Sequence, residues 1–399
     1  MTVPPPRAAA GAAVELPADL LAPDGGTGSL AAVLPAALDA LGVGVTTATG
    51  IDGADARRVL DLPAAERVCV VLVDGLGHVN LAERAGHAPF LRSLLPGARA
   101  LTSSFPSTTA AAVGAFGTGT APGRTGMLGY TQRNPATGGL ANMVSWEGAP
   151  PPHELQQEPP LLGVAADAGV AVTSTGPARF AGSGMTLAAL RGGTYAAGER
   201  LGDRVDAAVR ALRRPGLVYV YWGEVDKAGH HHGSGSWQWG DELEALDREL
   251  ARLARSLPAG TLLLVTADHG MVDVDPVLRR DVADDPVLSQ GVVLVGGEPR
   301  AVHLYAEPGR AQEVAARWRD ALGDGALVLE RDEVLAGGLL GPDPRPDAVA
   351  AAGDVLVAMR GRATVVDSRT QTPASLALVG VHGSLTEREM RVPLLVATG

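Results

Sequence analysis

Val68-Cys69-Val70-Val71-Leu72-Val73-Asp74-Gly75 is the stretch on which the fold turns. Its six leading residues are apolar, mostly β-branched, and show none of the alternation of a half-exposed strand. They read as a strand buried on both faces. Short apolar runs of the same kind recur at 170–173, 217–222, 262–266 and 393–397. Helical patterns lie between them at 203–213, at 311–322 and at 241–257, where Leu243, Leu246, Leu250, Leu253 and Leu257 fall three or four apart. Strands alternating with helices predict an α/β fold with a parallel sheet covered on both faces. Residues 276–375 have shorter segments with more Pro and Gly and read as a subdomain inserted into the main fold. Residues 1–30, rich in Pro, Ala and Gly, read as a loosely ordered lead-in. That leaves 31–275 and 376–399 as the core.

Composition narrows the function. The chain has 399 residues, 46% hydrophobic and 19% charged, enough apolar material for one large domain or two ordinary ones. A single cysteine, Cys69, excludes a disulfide framework and any cysteine-built metal site. No run approaches the ~20 apolar residues of a membrane span, and the first residues lack a basic segment followed by an apolar one. A cytoplasmic protein without membrane attachment is therefore expected. The net charge of -11 argues against long nucleic acids. A small anionic substrate stays open, because bound cations can dominate a local field.

The chemistry gathers around three aspartates that follow apolar runs: Asp74, Asp226 and Asp268. In open α/β sheets ligands bind beyond the carboxyl ends of strands. Asp226 and His230 are spaced i, i+4, so on one helical turn both would face a single cation. Asp268 and His269 are adjacent, and His382 stands in a glycine-flanked loop before the last apolar run. Three Asp and three His suit Zn, Mn or Fe, and are enough for two ions. A pair of metals can clamp the attacking and leaving oxygens of a phosphoryl displacement. Between the first two aspartates, Phe105-Pro106-Ser107-Thr108-Thr109 precedes an Ala-rich run and reads as a loop entering a helix. A hydroxyl there meets the positive end of the helix dipole. The chemistry alone leaves Ser107, Thr108 and Thr109 equal candidates for a nucleophile.

The ordered segments VVLVDGLG, FPSTT with GTGTAPGRTGMLGY, YWGEVDKAGHHHG, VTADHGM and GVHGSLTEREMRVPLL resemble the nucleotide pyrophosphatase/phosphodiesterase branch of the alkaline phosphatase superfamily. They span roughly 68–130, 216–275 and 376–399. The resemblance implies an alkaline-phosphatase-like core with a mostly parallel sheet. It also implies that the nucleophile lies nine residues before the Thr of Thr118-Gly119-Thr120-Ala121-Pro122, which is Thr109. By the same resemblance Thr109, Asp74, Asp268 and His269 hold one metal, and Asp226, His230 and His382 hold a second. Two divalent ions are expected, zinc first, with Mn, Fe or Mg as alternatives.

The implied reaction is double displacement on a phosphodiester or pyrophosphate through a phospho-threonine-type intermediate. The branch's phosphate-contacting Asn falls on Tyr130, with Asn134 four residues on. Tyr130, Asn134 and the Thr109 backbone N–H are the candidates for oxyanion contacts, and Arg179 is a further candidate for a substrate phosphate. Alternatives are a phosphonate hydrolase, a phosphomonoesterase, or a catalytically silent metal- or nucleotide-binding protein. The single lysine, Lys227, speaks against a phosphonoacetate hydrolase, which is expected to offer lysines to the substrate carboxylate.

Overall fold

In the computed structural model, which describes residues 14–399, the opening stretch is strand β1 (Arg67–Val73), and Val68–Val73 are all buried. With β2 (Arg99–Thr102), β3 (Val172–Gly176), β4 (Thr194–Ala197), β5 (Gly216–Trp222) and β6 (Thr261–Thr266) it builds most of a seven-stranded sheet. The parallel part runs β6-β1-β5-β3-β4, so β1 lies at its interior. Every residue of β6 is buried, as the absence of alternation requires. The last strand of the chain, Arg391–Thr398, enters between β6 and β2 antiparallel to both. The fold is therefore α/β with a mostly, not wholly, parallel sheet.

Helices form where capping and periodicity agree. The helix Trp237–Ser256 begins four residues before the apolar repeat because the Ser236 hydroxyl accepts from the Trp239 N–H and caps it. Leu243, Leu246, Leu250 and Leu253 then line its buried stripe. On the same helix Asp247 is buried and accepts from the N–H groups of Phe90 and Leu91 at 3.1 and 2.8 Å, tying down the start of the helix Pro89–Leu94. The Ala-rich run forms α1 (Thr109–Thr118), which packs so closely that a Cβ on Gly117 would lie 2.1 Å from the Ala189 carbonyl. Only glycine fits there.

Strands β7 (Val292–Glu298), β8 (Ala301–Ala306), β9 (Ala326–Glu330) and β10 (Val355–Met359) form a second, antiparallel sheet in the order β7-β8-β10-β9. It lies within 276–375 and has its own core of Val302, Val314, Trp318 and Val357 beside the helix Ala311–Leu322. The turn from β7 to β8 meets the main fold. There Arg300, fully buried, grips Glu389 at 2.7 and 2.8 Å and donates to the Met359 and Ala363 carbonyls. Of the segment 1–30, residues 1–13 lie outside the described residues. Farther along, Leu20 is buried, Leu21 donates to the Leu385 carbonyl, and Asp24 N–H donates to Thr102.

His303 in β8 is buried, and its Nδ1 accepts from the Gly353 N–H, so the ring is neutral with its proton on Nε2. Burial pushes this imidazole down to about 4. Below about 6.5 the unfolded chain takes up a proton that the folded chain refuses, so stability falls as pH drops from about 6.5 toward 4. Denaturant titrations at pH 7 and 5 should show this site costing about 2 kcal/mol at pH 5. A His303→Gln chain should lack that part of the slope. Equal pH dependence in the two chains would rule the assignment out.

Candidate active site

β1 and β6 are parallel neighbours that end together, so the aspartates just beyond them converge. The Asp74 N–H donates to the Trp222 carbonyl at 2.8 Å. Asp268 Oδ1 accepts from the N–H groups of Gly75 and His269 at 3.1 and 2.9 Å. Asp226 departs from its expected place at a strand end. β5 stops at Trp222, and Asp226 sits in the first turn of α2 (Glu224–His232). Its carboxylate and the His230 ring one turn later do share a face, with Oδ2 and Nε2 3.1 Å apart. His382 arrives from the chain before the last strand, its Nε2 4.0 Å from Asp226 Oδ1 and its ring stacked on His269 at 3.6 Å.

The loop entering α1 distinguishes the three hydroxyls. Ser107 Oγ donates to the Ser384 carbonyl at 2.6 Å and is committed. Thr108 precedes the first helical residue and makes no capping bond with its side chain. Thr109 Oγ1 lies 3.2 Å from His269 Nε2 and 3.4 Å from Asp74 Oδ1, at the positive end of α1.

All three histidines are oriented alike. His230 Nδ1 meets the Gly380 carbonyl at 2.7 Å, His269 Nδ1 the Gly270 carbonyl at 3.0 Å, and His382 Nδ1 the Ser107 carbonyl at 3.0 Å. A carbonyl only accepts, so each Nδ1 carries a proton, which fixes the ring and turns Nε2 toward the cluster. At His230 the Asp226 carboxylate 3.1 Å from Nε2 pushes the imidazole up to about 9, so that ring holds protons on both nitrogens and would give up the Nε2 proton to a cation. Two groups of donor atoms lie mutually within 4.8 Å: Asp226, His230 and His382, and Asp74, Asp226 and His269. Asp226 thus belongs to both, a role its place in the sequence did not reveal.

The donor set fits divalent cations on two counts. Asp226 Oδ1 and Asp268 Oδ2 are buried without any partner, which is costly unless a cation meets them. Burial, together with the nearby Asp268 and Asp226 carboxylates, pushes Asp74 well above the usual range, although the Tyr221 hydroxyl donates to its Oδ2 at 2.5 Å. Three carboxylates converging in a buried site call for positive charge. Burial and the facing His269 hold His382 well below its usual value, which favours the neutral ligand form.

A cavity of about 530 Å³ opens in front of this cluster and is lined by Asp74, Thr109, Asp226, His230 and His382. Tyr130 and Arg179 also line it, Arg179 lying over the Phe180 ring at 4.7 Å. Asn134 is not brought there. Its amide donates to the Gly148 carbonyl and accepts from the Ala136 N–H, closing a local turn. Tyr221 and Glu298 line the cavity without having been anticipated. Tyr221 had a weak signal, since strand alternation puts it beside Tyr219 on one face; Glu298, from the second sheet, had none.

Fold and family together define a hydrolase of alkaline-phosphatase-like architecture. The family model "Type I phosphodiesterase / nucleotide pyrophosphatase" matches residues 68–385, and the chain belongs to that family, which is metal-dependent. Among solved structures it is similar to murine ectonucleotide pyrophosphatase/phosphodiesterase 5, with 16% identity and a TM-score of 0.64 over 83% of this chain and 87% of that one. An inactive variant of the murine protein in complex with AMP matches at 15% identity and a TM-score of 0.64, with the same coverage. Phosphonoacetate hydrolase from Sinorhizobium meliloti, in complex with phosphonoacetate, matches with 21% identity and a TM-score of 0.66, over 89% of this chain and 93% of that one. No helix among the described residues is long and apolar enough to cross a membrane.

Proposed function

We propose that the chain hydrolyses a phosphodiester or pyrophosphate bond in a small phosphorylated substrate by double displacement, with Thr109 as nucleophile. The observation that carries this reading is the Thr109 hydroxyl, 3.2 Å from His269 and 3.4 Å from Asp74, at a helix N-terminus beside a cavity. Two divalent ions, zinc first, held by Asp74, Thr109, Asp268 and His269 and by Asp226, His230 and His382, would supply Lewis-acid stabilisation of phosphoryl charge.

The residues of the chain do the rest. Thr109 donates its hydrogen bond toward Asp74, which turns an Oγ1 lone pair to the cavity. Attack forms the Oγ1–P bond as the ester or anhydride P–O bond breaks. The Oγ1 proton passes along its hydrogen bond to Asp74, and the leaving oxygen departs with the electron pair and takes a proton from solvent. Water then attacks phosphorus and gives one proton to solvent as the Oγ1–P bond breaks, and the proton held at Asp74 returns to Oγ1. The N–H groups at the start of α1 face the anionic phosphoryl group throughout. Arg179, at the cavity wall, is placed to meet a second phosphate or another anionic part of the substrate.

Purified chain should turn over bis-p-nitrophenyl phosphate faster than p-nitrophenyl phosphate. Chelation should abolish turnover and zinc should restore it. Chelation should also lower the thermal midpoint, since an ion held a thousandfold above its Kd stabilises the fold by about 4 kcal/mol. A well-folded chain that binds no metal and cleaves neither ester would sink the reading. A clear preference for the monoester would move it to a phosphomonoesterase.

A further inference from the structure

Glu298 ends β7, the edge strand of the second sheet, and reaches the cavity as that sheet's buried carboxyl. It is 6% exposed. Oε2 accepts the Tyr130 N–H at 2.7 Å, whereas Oε1 is buried with no partner at all. Arg300, two residues on, cannot serve it: that guanidinium is spent on Glu389 and on two backbone carbonyls. No candidate group of metal ligands among the described residues includes Glu298. The side chain is packed against Gly383, the neighbour of His382, where a Cβ would come within 2.6 Å of the Glu298 Cγ. Gly383 in turn bonds Ser107, two residues before Thr109. The glycine thus lets a carboxyl from the second sheet lie against the loop that carries the nucleophile.

We propose that Glu298 is a catalytic residue of the phosphoryl site, donating a hydrogen bond from Oε1 to a non-bridging oxygen of the group that Thr109 attacks. An ionised carboxylate beside a phosphoryl anion would repel it, whereas a carboxylic acid supplies a donor where the charge develops. The surroundings favour the acid form. Burial, helped by Glu389, pushes this carboxyl up to about 8, against the pull of the Tyr130 N–H. The inference rests on the phosphoryl-transfer reading above and adds the residue through which the second sheet enters the chemistry.

The test compares Glu298→Gln, which keeps a donor at the same reach, with Glu298→Ala, which removes it. Both are made in the full-length, metal-loaded chain. Glu298→Ala should lower kcat/KM on bis-p-nitrophenyl phosphate by about 10²-fold and weaken inhibition by inorganic phosphate, as expected for loss of one oxyanion donor. Glu298→Gln should stay within about tenfold of the parent, and metal content should be unchanged in both. Glu298→Met, which fills the volume without a donor, should behave as the Ala chain does, and replaces it if the Ala chain does not fold.

Three results would overturn the proposal. They are an Ala chain as active as the parent, a Gln chain as impaired as the Ala chain (the mark of an acceptor for a substrate donor), or a loss of metal from the Ala chain (the mark of a ligand). If the parent cleaves no phosphodiester, the hydrolase reading fails separately. Calorimetric binding of inorganic phosphate then decides the role of Glu298, and equal affinity in parent and Ala chains overturns it.

Discussion

Thr109→Ala should lower kcat on bis-p-nitrophenyl phosphate by at least about 10⁴-fold while leaving the chain folded and metal-loaded. The size follows from removing the proposed nucleophile, a loss that the remaining electrostatics cannot replace. Retention of metal follows because Asp74, Asp268 and His269 stay in place when one hydroxyl is withdrawn. Neither neighbouring hydroxyl can substitute. Ser107 Oγ is bound to the Ser384 carbonyl, and Thr108 lies one residue earlier, before the helix begins. Thr109→Ser restores the hydroxyl and should recover a measurable part of the rate. Metal analysis and steady-state kinetics on the two variants check all of this. Turnover unchanged in the Ala chain would transfer the role to Thr108.

Asp226→Asn should have the second-largest effect, because this carboxylate belongs to both candidate ligand groups. Bound metal should fall to one ion per chain or fewer. Turnover should fall by about 10³-fold, the equivalent of several kcal/mol of lost charge stabilisation at phosphorus. Stability should separate two effects of the change. Without metal, the variant loses the Asp226–His230 pairing, Oδ2 to Nε2 at 3.1 Å, which holds the Asp226 carboxyl well below its usual range and outweighs the relief of repulsion on Asp74. It should therefore melt below the parent under chelation at neutral pH. With metal, the parent should gain thermal stability that the variant lacks. Mass spectrometry of bound metal, paired with melting curves in zinc and in chelator, provides the readout. A variant with the parent's full metal content and full metal-dependent stabilisation would show that Asp226 is not shared.

Much of the architecture was legible in the chain because the hydrophobic signal there is local. β1 and β6 are buried on both faces and show it as unbroken apolar runs. The leucine stripe of 241–257 shows its helix for the same reason, although Ser236 moves the start back to Trp237 through a cap that is a single side-chain bond. The last strand was visible as an apolar run, yet its antiparallel direction was not, because direction depends on how the chain returns to the sheet. Asp226 was misplaced at a strand end although Gly223 marks the boundary between strand and helix, because apolar Val225 after it reads as a continuation of the strand.

The candidate site divides along the same line. The i, i+4 pair Asp226 and His230 and the adjacent Asp268 and His269 were readable because short spacing on a known element fixes where side chains point. Choosing Thr109 over Ser107 needed the resemblance, since only a contact 277 residues away commits the Ser107 hydroxyl. Asn134 drew notice by its residue type, and its local turn keeps it from the cavity.

By itself the sequence determined the layered α/β core, the set of Asp, His and Thr residues, and the family they belong to. All of these rest on spacing within single elements or on motifs a few residues long. Only the tertiary structure decided that Asp226 stands between two candidate ligand groups, that three Nδ1–H groups fix the imidazoles around them, and that Glu298 enters from the second sheet. The contacts His230 to Gly380, His382 to Ser107 and Glu298 to Tyr130 join residues at least 150 apart through a backbone group, and a carbonyl or an amide carries no residue identity that a sequence could display.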